Sequence, residues 1–248
     1  MTHTTVPLIF DLDGTLVDPA GGITGGIAAA LAELGLPVPG PAQLDAMIGP
    51  KLSHALTAIA GVPAHQLERA ITIYRAHYVS SGIAQSQLYP GIRELLETFA
   101  AAGRPVGVAT QKPENLARVV LEHHGIAHLF DTIRGSAPDE MAAADASAPA
   151  GKAEIVAAAL ADLEQQAAAH PGQAVMVGDR AQDVAGAAAN GLECIGVGWG
   201  FALDGELREA GAAEIVHSTE ALHESVLRRD AADVDDAARS EVPANAHV

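Results

Sequence analysis

Four short apolar runs punctuate the chain: residues 6–10 (VPLIF), 106–109 (VGVA), 174–177 (AVMV) and 194–197 (CIGV). The first stops at Asp11, the second at Thr110 and the third at Gly178-Asp179. Each is four or five residues long and apolar at successive positions, so the strand it predicts leaves neither face for water. That is the pattern of strands buried in a parallel sheet. Between the runs the period lengthens. Ile92, Leu95, Leu96 and Phe99 share one helical face; so do Leu116, Val119 and Val120, and then Ile155, Val156, Ala159, Leu160 and Leu163. Gly103 stands where the first of these helices needs its C-terminal glycine. Strands alternating with helices predict an α/β protein: a doubly wound, Rossmann-like parallel sheet with helices on both sides.

Residues 18–88 break that alternation. Ile23, Ile27, Leu31 and Leu34 line one predicted helix, and Leu67, Ala70, Ile71, Tyr74 and Tyr78 line another. Leu52, Leu56 and Ile59 suggest a third between them, with proline–glycine turns over 37–41. No run here reads as a strand. An all-helical cap over 18–88 is therefore expected, inserted into a core made of 1–17 and 89–225. The segment 137–151 (APDEMAAADASAPAG) reads as an exposed loop. From 226 to 248 there is little to bury, and a solvated, disordered tail is expected.

Composition narrows the class. Of 248 residues, 49% are hydrophobic, enough for a sizeable core and too many for global disorder. Aromatics are only 3%, so that core is aliphatic. Fourteen Lys and Arg against 31 Asp and Glu leave a formal charge of −17, which repels phosphate backbones and anionic bilayers. Neither a nucleic-acid polymer nor a membrane is an expected partner. Cys194, the single cysteine, is expected to be a small buried residue in a strand. No run reaches membrane-spanning length, and the N-terminus lacks the basic flank and long apolar stretch of a signal peptide, so a cytoplasmic location is expected.

The strand ends carry the candidate chemistry. Asp11 and Asp13 follow the first run, where ligands sit in open α/β sheets. Read alone, Asp13-Gly14 is equally ordinary turn chemistry. Asp179 ends the third run, and Asp183 follows one helical turn later, where it is equally a helix N-terminal acid. Several carboxylates converging on one crevice call for a hard divalent cation, and Mg2+ prefers such oxygen ligands. Thr110, Gln111 and Lys112 precede Pro113, placed for the first turn of a helix; a hydroxyl and free amides there cradle an anion, although Thr110 is equally a plain cap. Lys152 opens a helix, an unfavourable end for a cation unless a phosphate faces it, or unless it is simply solvated. Acid, metal, hydroxyl and lysine on successive strand–helix connections suit phosphoryl transfer. His123, His124 and His128 are expected to serve a helix end and loop, since Gly125 interrupts any helix between the last two.

DLDGTLVD, VATQK, Lys152 and VGDRAQDV together resemble the four-motif signature of the haloacid dehalogenase-like (HAD) phosphatases, over about residues 6–217. Ile48-Gly49-Pro50, YPGI and GVGWGFA are similar to the helical-capped branch holding 5′-nucleotidase-like enzymes and phosphoglycolate phosphatases. The resemblance implies a Mg2+-dependent phosphomonoesterase acting on a small phosphorylated metabolite. It makes Asp11 the nucleophile and Asp13 the acid and then base. It rests the metal on Asp11, the Asp13 carbonyl and Asp179, with Asp183 ligating directly or through water, and the phosphate on Thr110, the Gln111 amide and Lys152. Gln111 stands where this branch usually has Ser or Asn. Lys51 replaces a usual proline, which would bring positive charge to the cap face. A sugar-phosphate mutase or a non-catalytic binding protein of the same family remains an alternative.

Overall fold

Leu8 and Phe10 point to one side of the sheet and Ile9 to the other, and all three are fully buried. This alternation inside an unbroken apolar run is why β1 (Leu8–Phe10) forms at the centre. The computed structural model describes residues 5–19, 21–137, 151–166 and 174–240. After β1 comes a short strand, β2 (Val17–Asp18), and then helices only: α1 (Gly22–Glu33), α2 (Pro41–Asp45), α3 (Leu52–His54), α4 (Leu67–His77) and α5 (Ile83–Gln85). Wider turns prolong α3 over Ala55–Ile59 and α4 over Tyr78–Gly82. The strand β3 (Gln87–Leu88) pairs antiparallel with β2, closing a two-stranded ribbon at the root of the helical insertion.

The remaining chain alternates: α6 (Ile92–Ala101), β4 (Val106–Pro113), α7 (Glu114–His123), β5 (Thr132–Ser136), α8 (Lys152–Gln166), β6 (Val175–Gly178), α9 (Ala181–Ala188), β7 (Glu193–Val197), α10 (Glu206–Ala210), β8 (Glu214–Val216) and α11 (Thr219–Ser240). Six strands make one parallel sheet in the order β5-β4-β1-β6-β7-β8. The chain builds outward from β1 through β4 to β5, then crosses back to β6 on the other side. The order therefore reverses beside β1, where open α/β sheets hold their ligands. Phe10 stands level with Val108 and Val177, so the carboxyl ends of β1, β4 and β6 share one rim. One face packs on Ile92, Leu96 and Phe99 of α6 and Val120 of α7; the other packs on Ile155, Val156 and Ala159 of α8 and Val184 of α9.

Several expectations change, beginning with the absence of strand over 18–88, where Asp18 and Gln87–Leu88 pair instead in the ribbon. Val119 was expected to face the core but is 44% exposed; the buried stripe of α7 is Ala117, Val120 and Leu121. The second strand does not stop at Thr110 but runs to Pro113, so Pro113 precedes α7 instead of entering its first turn. The expected tail from 226 is helical as far as Ser240, because Leu222 and Val226 bury against the core and Asp230 receives the guanidinium of Arg104. Residues 138–150 of the expected loop, and 241–248, lie outside the described residues. Among the described residues no helix is long and apolar enough to cross a membrane.

Candidate active site

The rim follows from register. Asp11 is one residue past Phe10, and Thr110 and Asp179 are each two past their partners Val108 and Val177. Asp11 N donates to Val177 O at 2.9 Å, which locks the first acid beside β6. The chain then turns sharply: Gly14 N donates to Val17 O at 2.8 Å, and Leu16 N to Leu12 O at 3.0 Å. Asp13 is thereby returned to the rim, and both acids are buried.

Asp179 is fully buried and held twice, accepting from Thr15 Oγ1 at 3.2 Å and Phe201 N at 2.8 Å. Asp183, on the first turn of α9, accepts from Arg180 N at 3.0 Å. Space for these carboxylates comes from glycine. A β-carbon on Gly178 would fall 2.4 Å from that of Asp183, and one on Gly200 would fall 2.4 Å from Asp179 Oδ2. Oxygens of Asp11, Asp179 and Asp183 lie within 4.8 Å of one another. Burial, with Asp183 and Asp11 close by, pushes the Asp179 carboxyl well above the aspartate range. Burial also lifts Asp183, up to about 6, against the pull of Lys152.

Lys152 reaches the same point from α8. Its Nζ donates to Asp11 Oδ1 at 2.5 Å and to Ala109 O at 2.7 Å, and lies 2.7 Å from Asp183 Oδ1. Burial alone would lower its ammonium, but Asp11 and Asp183 outweigh burial and hold it above the ordinary lysine value. The lysine is not solvated. It is a buried cation wedged between two acids.

Thr110 and Gln111 reach the cleft by a strand irregularity, not by a helix start. Along β4 the pairing jumps from Ala109 to Pro113, while β5 advances only from Arg134 to Ser136. The two surplus residues push the Thr110–Lys112 stretch off the ladder, as bulges beside ligand sites do. Thr110 Oγ1 accepts from Lys112 N at 3.2 Å, and Gln111 Oε1 is buried without a hydrogen-bond partner. The helical insertion roofs this rim. Ile23, Met47, Gly49, Pro50, Leu52, Tyr74, Arg75 and Tyr78 face Asp11, Asp13, Thr110, Gln111 and Lys112 across a cavity of about 50 Å3. Arg180 ties the roof down, its guanidinium donating to Ile48 O at 2.5 Å and to Glu206 at 2.9 Å.

All seven sequence-predicted side chains meet here: Asp11, Asp13, Thr110, Gln111 and Lys152 with Asp179 and Asp183. Lys51 does not line the cavity, although its neighbours Pro50 and Leu52 do. The second cation is Lys112, which sequence reading valued only for its amide. Its Nζ lies 2.7 Å from Asp13 Oδ2, and Asp13 and Tyr78 hold its ammonium above the ordinary value against the opposing effect of burial. A lysine two residues past the strand-end hydroxyl was the available signal; the irregularity that turns it inward was not. His124 shares a hydrogen bond with Ser86 at 2.8 Å, away from the rim.

A family model described as haloacid dehalogenase-like hydrolase matches residues 8–197. The chain belongs to that family. The tyrosine-protein kinase PtkA of Mycobacterium tuberculosis is 40% identical over 194 residues, 78% of this chain. The chain spans only 62% of that relative's length. The 5′-nucleotidase of Pseudomonas aeruginosa is 38% identical over 201 residues, covering 81% of this chain and 86% of that one. Among solved structures, a "predicted phosphatase" from Clostridium acetobutylicum has a TM-score of 0.80 at 33% identity, covering 90% and 99% of the two chains.

Proposed function

We propose that this HAD-family hydrolase is a phosphomonoesterase that works through an aspartyl phosphate on Asp11, with Mg2+ as cofactor and a small phosphorylated metabolite of 5′-nucleotide or phosphoglycolate type as substrate. The observation that carries the reading is the pairing of two acids at one strand end with different surroundings. Asp11 is held by Lys152 beside Thr110, and Asp13 faces the same cavity with one oxygen, Oδ1, buried and unpartnered.

The residues fit a hard divalent cation. The donor set is all oxygen, and the one ammonium of Lys152 leaves three close, buried carboxylates with negative charge in excess. Asp11, Asp179, Asp183 and the Asp13 carbonyl would hold the ion, and when bound it neutralises charge on the transferring phosphoryl group. Lys152, the Thr110 hydroxyl and the Gln111 amide hold the other phosphoryl oxygens. The Asp11 carboxylate attacks phosphorus as the bond to the leaving oxygen breaks, and Asp13 gives that oxygen its proton. Water then attacks the phosphorus of the aspartyl phosphate, giving its proton to Asp13, and inorganic phosphate leaves with Asp11 restored. The helical insertion acts as a cap that keeps bulk water out meanwhile.

The test is phosphate release from a panel of nucleoside monophosphates, sugar phosphates and phosphoglycolate, with and without Mg2+, by wild type and Asp11→Asn. Turnover that needs Mg2+ and disappears with the substitution is expected. A folded wild type that releases phosphate from none of them would overturn the reading.

A further inference from the structure

Lys112 joins the two halves of the cleft. Its Nζ is 2.7 Å from Asp13 Oδ2, 3.0 Å from the Tyr78 hydroxyl and 4.5 Å from the centre of the Tyr78 ring. The lysine belongs to β4 of the core, and Tyr78 follows α4 in the helical insertion. All three side chains are buried. The two oxygens of Asp13 therefore differ. Oδ2 is anchored, while Oδ1 is buried without a hydrogen-bond partner. An orphaned carboxylate oxygen is costly to keep unless a partner arrives with the substrate.

We propose that Lys112, itself held by Tyr78, is a positioning residue that divides the work of Asp13: Oδ2 is the anchor, and Oδ1 exchanges the proton. This rests on the phosphomonoesterase reading above. An ammonium needs only a lone pair on Oδ2, and that lone pair is present whether the acid is protonated or ionised. The anchor therefore persists through both half-reactions. In the first, the proton on Oδ1 passes to the leaving oxygen as its bond to phosphorus breaks. In the second, Oδ1 takes a proton from the attacking water. Tyr78 comes from the roof, so lifting the roof removes one of the two groups holding Lys112. Proton transfer is thus tied to the closed cleft, where stray water has least access.

The test compares Lys112→Met and Tyr78→Phe with wild type on two esters. One is p-nitrophenyl phosphate, whose phenolate departs without a proton; the other is the alkyl phosphate that the panel ranks first. On the alkyl ester, Lys112→Met is expected to lose on the order of 10²-fold in kcat with little change in KM. On p-nitrophenyl phosphate the initial burst of phenolate persists while the steady rate falls, because the second half-reaction still needs the base. Tyr78→Phe keeps the ring, shows the same ordering with smaller losses, and carries the comparison alone if Lys112→Met does not fold. Equal losses in the burst and on the alkyl ester, or a rise in KM alone, would make Lys112 a substrate ligand and overturn the proposal. A wild type inactive on both esters would instead overturn the phosphomonoesterase reading, and this inference with it.

Discussion

A β-carbon on Gly14 would come to rest 2.2 Å from Oδ2 of Asp179. The turn after β1 and the end of β6 therefore interlock only because residue 14 has no side chain. Its φ of +90° adds a second reason, since side chains strain there. Gly14→Ala is expected to cost about 1–3 kcal/mol in stability and to displace Asp179, removing most phosphate release. Gly25, exposed within α1 with nothing within 4 Å of its would-be β-carbon, is the control. Gly25→Ala should keep activity and gain roughly 0.5–1 kcal/mol. Melting temperatures and rates for the pair check both statements; an active Gly14→Ala enzyme would contradict them.

Three crowded carboxylates should be relieved by a divalent cation, with or without substrate. Mg2+ at about 100 times its Kd is expected to stabilise the wild type by about 2.7 kcal/mol. Asp179→Asn should abolish most of that gain while folding normally, since the amide keeps the contacts to Thr15 and Phe201. Thermal melts across a Mg2+ titration decide it, and an unchanged shift in the variant would move the ion elsewhere.

Asp162 of α8 is clamped by Arg134, which donates from Nε and Nη2 at 2.6 Å each, and the Arg134 hydrogen bonds hold its carboxyl below the ordinary value of 3.8. A lowered acid stabilises the fold above its unfolded pKa and loses that contribution as pH falls. The melting-temperature gap between wild type and Asp162→Asn should thus be widest near neutrality and narrow below about pH 4. A gap independent of pH would show that charge is not what the clamp supplies.

Arg104 is buried at the foot of the sheet, where it donates to Val6 O at 2.6 Å and meets both oxygens of Asp230. Asp230→Ala strands that guanidinium and is expected to cost about 3 kcal/mol. A chain ending after Leu227 should lose at least as much. Denaturant unfolding reads both, and a truncated chain of full stability would return this segment to the status of a tail.

The core's centre was legible because burial on both faces writes itself as an apolar run: β1, β4, β6 and β7 all came from such runs. The edge strands did not. Thr132–Ser136 and Glu214–Val216 each have only one sheet neighbour and carry polar residues, so no run marks them. Asp11, Asp13 and Asp179 were found because strand-end position limits where they can point, and Lys152 because a cation at a helix N-terminus calls for a reason. Lys112 was missed because its direction depends on two surplus residues in β4, visible only in the pairing with β5. The end of α11 was missed for a different reason. Asp230 looks like one more solvated acid in a charged stretch, and the partner that buries it lies 126 residues away.

The ribbon at the root of the insertion has a mechanical meaning. Val17 pairs with Leu88 across it and, on its other side, bridges Asp13 and accepts from Gly14 N. Shaft and proton-bearing turn are one part. A torque on the helices would reach Asp13 within four residues of chain, and Asp179 only one hydrogen bond further on, through the Thr15 hydroxyl that donates to it. The ribbon is thus a lever arm: any tilt of the helices about it would load the turn that carries Asp13 before it loads the sheet.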